Sequence, residues 1–283
     1  SIAIQIKALG AGTKKYAKML EERVKVKHTD VIKSNALKLV LNSAYGNLNN
    51  KYSILNNPCA AYTICFTGQI VLYELAKRLS ETCTIVQLNT DGVAFVAHDD
   101  EYKQIWKDWE AEFKLNLELD EFKTWIQKDV NNYVALKKDG SVYTKGGMVN
   151  KYQNDRFFDN NDTRIVHKAI VDRLLFDKDV TDTLVENLDR PELYQYVLST
   201  TNKFAGTVDQ AGNPYQKVNR VFAAKSGVSL RKLRHDGAYV KFADAPDQMM
   251  VWNKGCDEIE DFESKIDLTY YYNLIQDKLR AWS

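Results

Sequence analysis

A chain of 283 residues with 45% apolar and 27% charged content is long enough for one large or two moderate domains, each with a buried core. A net charge of +1 identifies no partner, but its distribution is uneven. Residues 1–51 hold ten Lys/Arg against three Asp/Glu, residues 203–241 eight against two, and residues 98–121 three against nine. Two basic segments around a neutral average suggest polyanion-facing surfaces, with solvated helix faces as the plainer reading. Cys59, Cys65, Cys83 and Cys256 form no C-x-x-C pair, which argues against a zinc ribbon and for a reduced, intracellular compartment. No run of 18 apolar residues and no signal peptide is seen, so the expectation is no membrane partner and a cytoplasmic location (host cytoplasm if viral), not secretion. The sequon Asn161-Asp162-Thr163 is set aside on that ground.

In chain order, Tyr16, Met19, Leu20 and Val24 recur at helical spacing and predict a helix over 13–28. Thr29 or Asp30 is placed to cap a second helix over about 31–45, and so short a link makes the two antiparallel neighbours. Asn56-Asn57-Pro58 breaks the chain before a longer helix, Tyr62 to about Glu81, expected to be buried on much of its circumference. An acidic helix follows over 101–117, with Ile105, Trp109 and Phe113 on one face. Strands are expected at 124–126, 132–136 and 142–144, with Gly146-Gly147 marking a boundary. Beyond Thr163, helices are expected at 165–177, 181–188 and 191–203. A β-like section over 217–253 and a last amphipathic helix over 267–281 complete the chain. The pattern is that of an α+β protein.

Between the long helix and the acidic one lies Thr84-Ile85-Val86-Gln87-Leu88-Asn89-Thr90-Asp91-Gly92-Val93-Ala94-Phe95-Val96. Two apolar, β-branched runs flank a four-residue turn. Asn and Gly accept positive φ cheaply, which makes this a hairpin signal. A carboxylate at such a tip is rigidly presented and could ligate a metal, although most Asp residues in turns only satisfy turn geometry. The second helix carries Lys38-x3-Asn42-Ser43-x-Tyr45-Gly46, which aligns an ammonium, an amide and a phenol on one face. Arg23 and Lys27, four apart on the first helix, could bring further cations to the same anionic ligand.

Lys38-x3-Asn42-Ser43-x-Tyr45-Gly46 resembles the fingers motif of family B DNA polymerases, and Arg23-x3-Lys27 looks like the basic pair on the partner fingers helix. Asn89-Thr90-Asp91-Gly92 follows about 45 residues later, where that family has its Asp-Thr-Asp-Ser palm hairpin. Tyr133 stands where the Lys-Lys-x-Tyr motif would end, and Lys145-Gly146 where a Lys-Gly follows. The resemblance spans the chain and implies a helical fingers hairpin over 1–50, an antiparallel-sheet palm portion over 51–150 and a mostly helical thumb with a small β section over 151–283.

The resemblance implies template-directed dNTP addition by two-metal phosphoryl transfer on Mg2+ or Mn2+. Arg23, Lys27 and Lys38 would then bind the triphosphate, while Asn42 and Tyr45 would pack at the nascent base pair, Tyr45 near the sugar; Gly46 would be a further nucleotide-binding position. Asp91 would be the catalytic metal ligand. Tyr133, Lys145 and Gly146 would hold primer–template DNA through contacts that carry no sequence information. The basic 203–241 section would track the duplex.

The departures have consequences of their own. Asn89 and Gly92 replace the first Asp and the Ser of the palm motif, and Val130-Asn131 replace the Lys pair. No stretch resembling Asp-x-x-Ser-Leu-Tyr-Pro precedes the fingers motif; the four prolines are at 58, 191, 214 and 246, none preceded by Tyr. One carboxylate alone does not hold two divalent ions in place. The expectation is therefore a chain inactive alone, completed by an N-terminal polymerase segment or subunit that carries the first palm Asp. A viral or phage-like source would suit this compact layout. A reverse-transcriptase palm is disfavoured because it would place two adjacent Asp residues at the turn. The alternative that stays open is a non-catalytic DNA-binding subunit derived from a polymerase. Gly10-Ala11-Gly12 lacks the βαβ context of a phosphate loop, and the four histidines show no ligand spacing.

Overall fold

The computed structural model describes residues 2–152, 163–243 and 245–282; Asn161 and Asp162 of the sequon lie outside them. It is an α+β structure with 44% helix and 22% strand, the strands pairing antiparallel. The chain forms two compact units, Ser1–Leu119 and Asp120–Ser283.

The first unit opens with a short helix α1 (Ile2–Gln5), then α2 (Thr13–Val26) and α3 (Val31–Leu48). The Asp30 carboxylate accepts from the Lys33 amide at 2.9 Å and caps α3, as the sequence indicated. The link between α2 and α3 is too short for anything but an antiparallel hairpin, and a Lys33–Glu22 ion pair at 2.6 Å joins them. That pair is exposed on both sides and adds little stability.

Helix α4 (Pro58–Leu79) starts four residues before the expected Tyr62. Pro58 begins the helix instead of breaking the chain: a first-turn proline has no N–H to leave unpaired. Asn57 accepts from the Ala60 amide at 3.1 Å as its cap. The expectation that α4 is buried on much of its circumference is also corrected. Val71, Leu72, Leu75, Ala76 and Leu79 are buried, whereas Tyr62, Phe66, Ile70 and Tyr73 form a stripe 56–67% exposed. By length and apolar composition α4 resembles a membrane span, but its C-terminal half is the floor of a small core.

On that floor lie β1 (Cys83–Leu88), β2 (Val93–Ala97) and α5 (Tyr102–Phe113). Ile85, Val93, Phe95, Ile105 and Phe113 pack against the buried stripe of α4. Trp109 is 2% exposed, and its indole N–H donates to the Val71 carbonyl at 2.9 Å. Arg78 reaches Glu74 at 3.2 Å on its own helix and Glu112 of α5 at 2.9 Å. Helix α5 stops short of the expected residue 117 because Lys114 turns left-handed, φ 51°, and reverses the chain.

The second unit begins with an antiparallel meander, β3 (Phe122–Asp129), β4 (Asn132–Lys137) and β5 (Val142–Lys145), in the order and at the places expected from the sequence. Helices α6 (Arg164–Phe176) and α7 (Val180–Glu186) follow. The helix expected over 191–203 is absent: Pro191–Leu193 makes a single 3-10 turn and Tyr196–Ser199 is strand β6. The apolar run is too short to be a helix against its neighbours, and β9 supplies a complete ladder for it.

Strands β7 (Gly206–Val208), β8 (Pro214–Tyr215) and β9 (Val218–Val228) come next, then β10 (Arg231–Leu233), β11 (Tyr239–Lys241) and β12 (Met249–Val251). They form two sheets, β12-β9-β6 and β11-β10-β7-β8. Helices α8 (Phe262–Lys265) and α9 (Leu268–Leu279) end the chain. Val134, Ile165, Ile170, Tyr194, Val221, Phe222, Ile266, Tyr271 and Ile275 share one core, so meander, helices and the β9 sheet are a single packed body. Tyr271 is fully buried: its hydroxyl donates to the Tyr194 carbonyl at 2.7 Å and accepts from the Ala223 amide at 3.0 Å. Desolvation pushes its ionisation well above the usual tyrosine range.

The β7–β8 turn is held by Asp209, which accepts from the Asn213 side chain and from the Ala211 and Asn213 amides, each at 2.9 Å. The Asn213 hydrogen bond, ahead of the backbone ones, holds this carboxyl below its ordinary value. A depressed folded-state value means the stabilisation is complete above the unfolded value near pH 4 and fades as pH falls through the lower folded one. Asp209→Asn is thus expected to lower Tm at pH 7 and to melt with the unsubstituted chain at about pH 2. Parallel melting curves at both pH values would refute the assignment.

Candidate catalytic and nucleotide-binding site

The residues singled out by sequence fall into two groups, one in each unit. In the first, Asp91 stands at the tip of the β1–β2 hairpin, exposed to solvent. The register pairs Leu88 with Val93 and Ile85 with Phe95, with an irregularity between Ile85 and Gln87. The turn closes through the Asn89 amide donating to the Gly92 carbonyl at 2.9 Å. The Asn89 side-chain oxygen accepts from the Thr90 amide at 2.7 Å and its hydroxyl at 3.2 Å. No residue from Asn89 to Gly92 has positive φ, so the reason given for Asn and Gly at this turn is corrected. Asn89 serves as a side-chain cap of the turn, and a Cβ added at Gly92 would meet nothing within 4 Å.

Support for Asp91 comes from beneath the sheet. Cys83, Ile85, Val93 and Phe95 are locked onto α4 and α5, so the carboxylate sits on a short rigid lever. The described residues contain no group of three or more His, Cys, Asp or Glu able to hold a metal ion. Asp91 therefore belongs to no such group among the described residues.

In the same unit, Arg23 is half-buried on α2, while Lys38, Asn42 and Gly46 are exposed on α3. Lys27, just beyond α2, ion-pairs with Glu118, so any phosphate must compete with a carboxylate for it. Glu118 was not foreseen, because the contact bridges 91 residues of sequence. Tyr45 is 38% exposed, and its hydroxyl lies 2.7 Å from the Cys65 sulfur of α4. That contact, ahead of burial, raises the phenol's ionisation.

The second group is brought together on the meander. Tyr133 and Lys145 are register partners on β4 and β5, and the ammonium stands 5.7 Å from the ring centroid. Gly146 has φ 106°, and an added Cβ would lie 2.1 Å from the Asn132 side-chain oxygen and 2.7 Å from the Asn131 carbonyl. Local packing alone explains this glycine. Tyr133 is only 7% exposed, and the Trp125 and Tyr143 rings both stack against it. Both strands were legible, but the pairing that sets Trp125 and Tyr143 beside Tyr133 was not.

No protein-family model matches the sequence, and no curated protein matches it. A solved structure does: the family B DNA polymerase from the hyperthermophilic archaeon Pyrobaculum calidifontis, at a TM-score of 0.52 and 13% identity, over 97% of this chain and 38% of that enzyme. The fold is polymerase-like. At that identity the likeness is one of fold alone, and the chain spans well under half of the archaeal enzyme's length. Within that fold, Asp91 and the α2–α3 residues occupy one compact unit, while Tyr133, Lys145 and Gly146 sit together on the other.

Proposed function

We propose that this chain is the C-terminal polymerase portion of a family B DNA-directed DNA polymerase, divided into fingers (1–50), palm portion (51–150) and thumb (151–283). Its exposed Asp91, rigidly held on a hairpin within a polymerase-like fold, is the observation that carries the reading. Asp91 supplies one of the two carboxylates that a pair of divalent ions requires. A second polypeptide segment bearing the other carboxylate completes the site. When bound, Mg2+ or Mn2+ supplies Lewis-acid stabilisation of the attacking and leaving oxygens.

The chain's own residues do the rest. Lys38 and Arg23 present cations from α3 and α2 to a triphosphate, with Lys27 exchanging Glu118 for a phosphate oxygen. Tyr45, steadied by Cys65, sets a flat ring edge beside the sugar. Asn42 and Gly46 leave room for the nascent pair on the same helix. Tyr133, Lys145 and Gly146 take primer–template DNA.

Thermal stabilisation by dATP with MgCl2 tests this directly. At saturating ligand, about a hundred times Kd, Tm is expected to rise by about 5 °C. Lys38→Ala removes a charge-assisted contact and is expected to weaken dATP at least about tenfold. No shift with dATP and Mg2+, either alone or with a polypeptide carrying the second carboxylate, would leave the non-catalytic DNA-binding reading in its place.

A further inference from the structure

The outward face of the β3–β4–β5 meander has an unusual composition. Its register rows are Gln127–Tyr133–Lys145, Trp125–Ala135–Tyr143 and Phe122–Lys137, and cross-strand partners share a face. Those eight residues comprise four rings, two ammonium groups, an amide and a methyl, with no carboxylate. The opposite face, with Ile126, Val134 and Val142, belongs to the core.

The rings form a closed circuit. Phe122 meets Trp125 edge-on at 5.2 Å, Trp125 stacks on Tyr133 at 4.3 Å, Tyr133 on Tyr143 at 5.9 Å, and Tyr143 returns to Phe122 at 6.3 Å. Tyr133 is enclosed, but Tyr143 is 42% exposed and presents ring surface to solvent. Lys145 lies over the Tyr133 ring, and Lys137 lies 5.9 Å and 6.0 Å from the centroids of Phe122 and Tyr143. Lys137 is also held by Asp120 at 2.8 Å, and this ion pair raises its ionisation.

We propose that this face binds single-stranded nucleic acid, with an unpaired base stacked on Tyr143 and the adjoining phosphate on Lys145. Stacked rings with interleaved cations match the alternating flat, apolar bases and anionic links of a single strand. An apolar peptide would find no aliphatic side chain larger than Ala135, and an acidic peptide would have no use for four rings. A duplex buries its base faces and could engage only the cations. The inference rests on the nucleic-acid partner proposed above, yet it concerns unpaired nucleotides and names a residue, Tyr143, outside the set carried over by resemblance.

The test is fluorescence anisotropy of the full chain with a fluorescein-labelled oligothymidylate of about 12 nucleotides. Tyr143→Ala is expected to weaken binding about tenfold, Tyr143→Phe to restore it, and Lys145→Gln to reduce the salt dependence. A blunt duplex of equal length, which engages only the cations, should bind the Tyr143→Ala and unsubstituted chains alike. Equal affinity of the Tyr143→Ala chain for the oligothymidylate, failure of Tyr143→Phe to restore binding, an equal loss of duplex affinity in the Tyr143→Ala chain, or no binding by the unsubstituted chain would each overturn the proposal. Because dATP and Mg2+ stabilisation is measured separately, loss of this face leaves the polymerase reading standing, and loss of that reading leaves an oligothymidylate result intact.

Discussion

Gly227→Ala is expected to destabilise the chain by about 3 kcal/mol or more, lowering Tm by roughly 6–12 °C. Gly227 lies on β9 with φ 154°, and a Cβ there would stand 2.1 Å from the Met249 carbonyl oxygen and 2.7 Å from its carbon. Both are backbone atoms of β12, which pairs with β9 beside the buried Met249 side chain, so neither can rotate away. Relief would require the two strands to part at the sheet that carries Val221, Phe222 and Ala223. Gly212→Ala is the control: φ is 86°, but a Cβ meets nothing within 4 Å, so only backbone strain, about 1 kcal/mol, is added. Thermal melts of the two variants separate the effects. Similar losses for both would show that the β9–β12 approach is looser than described.

Asp91→Asn is expected to have the largest functional effect. In the chain supplied with a polypeptide bearing the second carboxylate, primer extension should fall about 1,000-fold or more, since a metal's stabilisation of the reacting oxygens is worth several kcal/mol. Folding should be unaffected, because Asp91 is exposed and the turn is closed by Asn89 and Gly92 instead. Asn89→Asp is the complementary change. A carboxylate oxygen can accept from Thr90 as the amide oxygen does, and the added charge should tighten Mg2+ binding. Full extension activity in the Asp91→Asn chain would remove Asp91 from the metal site altogether.

Much of the fold was legible because local signals agreed with tertiary ones. Asp30 caps its helix through the hydrogen bond such a residue makes anywhere, and the β-rich runs of the meander form the strands expected of them. What could not be read were features decided by distant partners. The stretch 196–199 became a strand because β9 lay ready to pair with it. The exposed stripe of α4 reflects which side β1, β2 and α5 happen to cover, and that is not written in the composition of the helix.

The site divides in the same way. The order of Lys38, Asn42, Tyr45 and Asp91 along the chain, together with their helix and hairpin settings, was visible in advance. Glu118 on Lys27, Cys65 on Tyr45 and the rings enclosing Tyr133 were not, since each contact joins residues separated by elements of their own. Gly146 shows the converse: a glycine chosen for a binding role is required by the Asn131–Asn132 turn beside it.

The Tyr271 hydroxyl has a consequence for how the second unit assembles. Its two hydrogen bonds close chain loops of 48 and 77 residues at a single oxygen atom. Loop-closure entropy grows only with the logarithm of length, so these closures differ by less than about 0.6 kcal/mol, the increment for a doubling. Chain length therefore gives neither the β9 nor the Tyr194 contact a decisive entropic lead. Whichever forms first leaves the phenol one hydrogen bond short in an apolar setting, and the second closure relieves that desolvation. One buried hydroxyl thus couples three remote segments into a single cooperative step.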